Sequence, residues 1–84
     1  MIDEEVIHHV NKSSYRVKVL KSLNDEPKIP KNVAADCDIL QNHISTVLAE
    51  LWDLGLIVCI NPDAKKGRVY RLSEEGEEII DKLV

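Results

Sequence analysis

Cysteine is scarce in this chain. Only Cys37 and Cys59 occur, and they form no Cys-x-x-Cys pair. A structural zinc site takes about four converging ligands. These two thiols and the histidines His8, His9 and His43 show no ligand-pair spacing, and His8 and His9 beside Glu4 and Glu5 are too few to close a site. The expectation is two reduced thiols, no metal and no cofactor. Long apolar runs are also missing. The stretch from Leu54 to Ile60, interrupted by Gly55, falls far short of the ~20 residues that span a bilayer. The N-terminus has no basic segment followed by an apolar core and a cleavage site, so a cytoplasmic protein without membrane contact is expected. There is no glycine-rich phosphate loop, no His-Glu-x-x-His and no Gly-x-Ser-x-Gly, which argues against an enzyme.

What is present reads as a soluble globular chain: 84 residues, 44% hydrophobic and 31% charged. That length suits a single domain over residues 1–84. A domain this small buries a limited share of its surface, so a homodimer is a natural way to complete it. The net charge of -4 conceals alternating blocks. Residues 1–11 and 33–58 hold acids and no lysine or arginine. Lys12, Arg16, Lys18, Lys21, Lys28 and Lys31 form one basic block; Lys65, Lys66, Arg68 and Arg71 form another. Two such blocks meeting on one surface would make a local positive patch, and local potential matters more to an anionic partner than net charge.

Apolar spacing predicts a short helix over 3–11, from Ile2, Val6, Ile7 and Val10. Ser13 or Ser14 can cap a second helix to about Leu23, with Tyr15, Val19, Leu20 and Leu23 inward. Asn24-Asp25-Glu26-Pro27 breaks it. Pro30 suits the first position of a short helix that ends near Cys37. After a tight turn at Asp38 and Ile39, a longer helix runs from about Leu40 to Leu54. Its stripe is Leu40, Ile44, Val47, Leu48, Leu51 and Leu54, and Gly55 ends it. The period then changes to that of strands: 56–60 and 68–72 flank a turn-rich loop over 61–67. Ser73 caps a last helix whose apolar face is Ile79, Ile80, Leu83 and Val84, with Gly76 weakening its first turn.

A short helix joined by a tight turn to a longer one is a helix-turn-helix, and a basic hairpin directly after it is a wing. The expected fold is α+β, mainly α: a winged helix-turn-helix with a three-helix core, a two-stranded β-hairpin wing and flanking N- and C-terminal helices. The apolar faces of those terminal helices exceed what one small core needs, and each can be buried against a two-fold mate.

The stretches RVKVLKSL, HISTVLAELWDLGLI and INPDAKKGRVYRLSEEGEEI resemble the winged helix-turn-helix transcriptional regulators of the MarR and ArsR types, small archaeal members above all. Ser45, Leu48, Leu51, Gly55 and Leu56 match the family's recognition-helix run. Gly67, Arg68, Tyr70, Leu72, Ser73 and Gly76 match its second wing strand and last helix. The resemblance covers residues 13–84. It implies a homodimeric DNA-binding regulator with the 40–54 helix in the major groove and the 61–67 wing on the flanking backbone of double-stranded DNA.

Candidate contacts follow from that frame. Gln41 and Asn42 can hydrogen-bond adenine, and Ser45 and Thr46 can meet a phosphate or a thymine methyl. Lys65, Lys66 and Arg68 suit phosphates or the minor groove. Lys31 and Asn32 begin the short helix, where an anion is favoured, and His43 can reach a phosphate. Arg71 can pair with a neighbouring acid, and Trp52 belongs to the core or an interface. The outward stripe of the recognition helix carries no lysine or arginine, so base readout there rests on amides and hydroxyls. That feature and the acidic pI leave an alternative: a winged-helix module that binds protein and little DNA.

Overall fold

A computed structural model of the chain describes residues 3–83, and Ile2 and Val84 lie outside them. The elements, in order, are α1 (Glu4–Asn11), α2 (Ser14–Asp25), α3 (Pro30–Cys37), α4 (Gln41–Asp53), β1 (Ile57–Cys59), β2 (Tyr70–Leu72) and α5 (Glu74–Ile80). This is the mainly helical winged-helix architecture expected from the sequence, with both strands shorter than their apolar runs. Caps set most helix starts. Asp3 accepts from the Glu5 amide at 2.9 Å, Ser13 from the Arg16 amide at 3.4 Å and Ser73 from the Gly76 amide at 3.1 Å. Pro30 occupies the first turn of α3, where its missing N–H is no loss.

The core lies between α2, α3 and α4 and is closed by β1, β2 and α5. Leu20, Ile44, Leu51, Leu56, Ile57 and Ile79 are fully buried in it, each contributing roughly 1.5–3 kcal/mol of transfer free energy. Two residues assigned inward by periodicity are not. Tyr15 is 41% exposed, and Val17 is buried from α2 instead. Leu40 is 70% exposed because it is the N-cap of α4, in extended conformation, and so stands off the helical stripe.

Two cations of the first basic block are spent internally. The Arg16 side chain donates to the Glu50 carboxylate on α4 through Nε and through NH2, the latter at 3.1 Å, and to the His9 carbonyl on α1 at 2.8 Å. One guanidinium therefore ties three helices. Its hydrogen bonds hold the Glu50 carboxyl below the usual range. The Lys28 side chain is mostly covered too, 9% exposed. Its ammonium donates to the Ser22 hydroxyl at 3.1 Å and to Asp36 at 3.4 Å, and Asp25 lies 3.8 Å away. The Ser22 hydroxyl and then Lys28 hold the Asp36 carboxyl low. The Lys28 backbone adds a rung to the sheet: its N–H donates to the Tyr70 carbonyl at 3.0 Å and its carbonyl accepts from the Tyr70 N–H at 2.9 Å.

α4 ends at a left-handed Gly55, φ 77°, and the Leu56 amide reaches back to the Leu51 carbonyl at 3.0 Å. The Leu56 carbonyl in turn accepts from the Ser73 amide at 3.0 Å. Gly76 sits on that joint. A Cβ there would lie 2.0 Å from the Leu56 carbonyl oxygen, so glycine is required by close backbone approach and is not a mere weakness in α5. Alanine would gain about 1 kcal/mol of helix propensity, but backbone cannot yield as a side chain can. Gly76→Ala is therefore expected to destabilise the fold by about 1–3 kcal/mol net. Urea unfolding measures it, and an unchanged midpoint would show that the joint is looser than described.

Candidate nucleic-acid interface

The turn between α3 and α4 is made by Asp38, in the left-handed region at φ 56°, with the Ile39 amide donating to the Ala34 carbonyl at 2.9 Å. Ile39 is buried beneath it and pins the second helix to the first. The Leu40 carbonyl accepts from the His43 and Ile44 amides, both at 3.0 Å, and no side chain caps the start of α4. Burial of Ile44, Leu48 and Leu51 fixes the rotation of the helix. Gln41, Asn42, His43, Ser45 and Thr46 are thereby left exposed.

The first turns of α3 and α4 and the wing enclose a cleft of about 640 Å³ lined by Ile29, Pro30, Lys31, Gln41, Asn42, Ile44, Ser45, Lys66 and Gly67. The fold thus brings together Lys31, Gln41, Asn42, Ser45 and Lys66, five of the residues expected to contact DNA. Asn32, Thr46 and Lys65 are exposed outside its lining. His43 stands on another flank of α4, where its ring meets that of Tyr15 edge-on, with centroids 6.3 Å apart. Trp52, 38% exposed, leans its ring on Tyr70 at 5.8 Å and so joins α4 to the base of the wing.

The wing loop is held by a residue that the sequence did not single out. The Asn61 side-chain oxygen accepts from the Val69 amide at 2.7 Å, and its amide nitrogen donates to the Gly67 carbonyl at 3.1 Å. Arg68 turns back into the loop, its Nε donating to the Ala64 carbonyl at 2.8 Å. Part of its donor capacity is therefore structural. Lys65 and Lys66 stand exposed at the tip. Arg71 donates to the Leu72 carbonyl at 3.0 Å and makes no carboxylate pair among the described residues. An asparagine at the first position of a turn-rich loop is the signal that could have marked Asn61.

The thiols play no visible part in this face. Cys37 is buried, and burial pushes its pKa up, which makes it a poor nucleophile. Cys59 donates weakly to the Asn61 side-chain oxygen at 3.7 Å. Among the described residues no three His, Cys, Asp or Glu side chains converge as a metal site. No described helix is long and apolar enough to cross a membrane.

No protein-family profile matches the chain, and no curated protein sequence matches it. Solved structures do. A MarR family transcription regulator superposes with a TM-score of 0.74 at 23% identity, over 93% of this chain and 58% of that one. The PcaV transcriptional regulator from Streptomyces coelicolor gives 0.75 at 24% identity, over 83% of this chain and 53% of that one. The transcriptional repressor CouR, solved bound to a 23-mer DNA duplex, gives 0.76 at 20% identity, over 90% of this chain and 55% of that one. The chain shares their winged-helix fold and spans little more than half of their lengths.

The Asn61 brace generates a test. Asn61→Ala should loosen the loop and leave the core alone, because its partners are loop and strand-edge groups. Amide exchange at Val69 should quicken by roughly fivefold or more, the equivalent of one hydrogen bond, while exchange at Leu20 and Leu51 stays at its native rate. Equal Val69 rates in the two proteins would show that the brace does not hold the wing.

Proposed function

We propose that residues 1–84 are a DNA-binding domain of a transcriptional regulator that works as a homodimer, with α4 in the major groove and the wing on the flanking backbone. The observation that carries this reading is the cleft. It sets Gln41, Asn42 and Ser45, which can read base edges, between Lys31 and Lys66, which suit phosphates. The structural likeness to a MarR family regulator and to a transcriptional repressor solved on DNA supports it. The work assigned is binding, without chemistry, and the cytoplasm is its natural setting.

Division of labour follows from charge. The readers on α4 are neutral, so they discriminate between bases and add little to overall affinity. Affinity comes from Lys31, Asn32, Lys65, Lys66 and, in part, Arg68, whose contacts carry little sequence information. His43 and Thr46 complete the face.

The dimer has its own support. Val6 and Ile7 on α1, and Ile80 and Leu83 at the end of α5, are only partly buried against the core. The end of α1 is tied to the turn that follows α5, where the Asn11 side chain donates to the Lys82 carbonyl at 3.3 Å. Their apolar remainder is surface that a two-fold mate can cover. Such a dimer would set two α4 helices in successive major grooves, about 34 Å apart.

Titration of a mixed-sequence B-form duplex at several salt concentrations tests the reading. The native chain should bind, and Lys65→Ala with Lys66→Ala should lower the slope of log affinity against log salt by about two, near 0.9 for each lost contact. Loss of affinity should be similar for all sequences. Absence of native binding at low salt would discard DNA as the partner and favour the protein-interaction alternative. Separately, equilibrium sedimentation should return twice the chain mass at micromolar concentration; a monomer at high micromolar would remove the dimer while leaving DNA binding to stand.

A further inference from the structure

Successive residues of an α-helix turn by about 100°, and the partners of α4 divide its exposed surface accordingly. Gln41, Ser45 and Trp52 face the wing, through the cleft and through the Trp52–Tyr70 contact. His43 and Glu50, two turns apart, face α2: His43 meets Tyr15 and Glu50 meets Arg16. Asn42, Thr46 and Asp53 point between the two flanks.

A helix with its side chains is about 10–12 Å across, and the major groove of B-form DNA is about 12 Å wide. A helix seated there meets a phosphate wall on each flank. The wing flank has lysines for its wall. The α2 flank carries one α4 carboxylate, Glu50, which would repel the other wall, but Arg16 already neutralises it with hydrogen bonds from Nε and NH2. His9 of α1 stands 3.9 Å from the same carboxylate, and what the flank offers beyond it is the Tyr15 phenol and the His43 imidazole. Both rings are exposed, both carry hydrogen-bond donors, and their edge-on contact at 88° holds them together across the helix pair.

We propose that Tyr15, with His43, makes a phosphate contact on the second groove wall, the one opposite the wing, through a phosphodiester oxygen. This rests on the DNA-binding reading above and adds to it a residue on α2. It also accounts for an aromatic ring left in solvent at a position whose spacing would otherwise bury it.

The test uses the full chain and the same mixed-sequence duplex. Tyr15→Phe keeps the ring against His43 and removes the hydroxyl donor. Stoichiometric titration fixes the active fraction of each protein, so partial unfolding cannot imitate a weaker contact. Affinity should fall by roughly tenfold, as for a lost hydrogen bond to a charged group, with the salt slope unchanged because a neutral donor releases no counterion. His43→Ala should weaken binding too, and the double variant should lose less than the product of the two single losses, since the rings act as a pair. Native binding that Tyr15→Phe matches would overturn the inference alone, as would a fall in slope, which would assign the loss to displaced cations. Failure of the native chain to bind overturns the inference together with the reading beneath it.

Discussion

The backbone of Leu56 is the joint on which the placement of the other parts depends. Its amide closes the end of α4 and its carbonyl receives the Ser73 amide that starts α5. The buried Leu56 side chain anchors both to the core. A helix, a strand and a second helix thus leave from one point, in directions that hydrogen bonds fix. β1 runs directly out of that joint, so the wing's heading relative to α4 is decided there, and with it the width of the cleft. Gly76 allows the approach because it has nothing to put against the Leu56 carbonyl. Gly55 allows the turn because a left-handed residue is needed between helix and strand.

Much of this was legible in the chain. Local signals carried it: Ser13 and Ser73 as caps, Pro30 at a helix start, Gly55 at a helix end, and the change of period after Leu56. Local signals are also what failed. Periodicity cannot distinguish a buried ring from one at the first turn of a helix, so Tyr15 was expected inside. Leu40 fits the stripe of α4 in register but belongs to the cap. Lys28 and Arg16 read as surface cations because their partners, Ser22 and Asp36 for one and His9 and Glu50 for the other, become neighbours only on folding. Gly76 looked like a flaw in a helix because a close contact across the fold leaves no trace in spacing.

The candidate site divides the same way. That α4 would present Gln41, Asn42, Ser45 and Thr46 follows from which residues must be buried, and the wing tip follows from turn chemistry. That Lys31 and Lys66 would flank the same cleft, 35 positions apart in the chain, needed the fold. So did the Arg16–Glu50 pair. It acts as a strut between helices and, on one flank of α4, as a mask over a carboxylate that an anionic partner would otherwise meet.

The Asn61 brace has a consequence for how such a protein can change over generations. One side chain at the base of the loop closes its backbone, and Pro62, Asp63, Lys65 and Lys66 beyond it are exposed. Substitutions at those tip positions leave the core and the brace untouched, so the number and sign of charges there are open to drift and selection at little cost in foldedness. α4 has less freedom: Ile44, Leu48 and Leu51 are committed to the interior, and on the proposed reading a change on its outer face would alter which partner is preferred. If the tip grips and α4 chooses, as proposed, the two tasks lie on separate segments and can be inherited independently, with one asparagine keeping them apart.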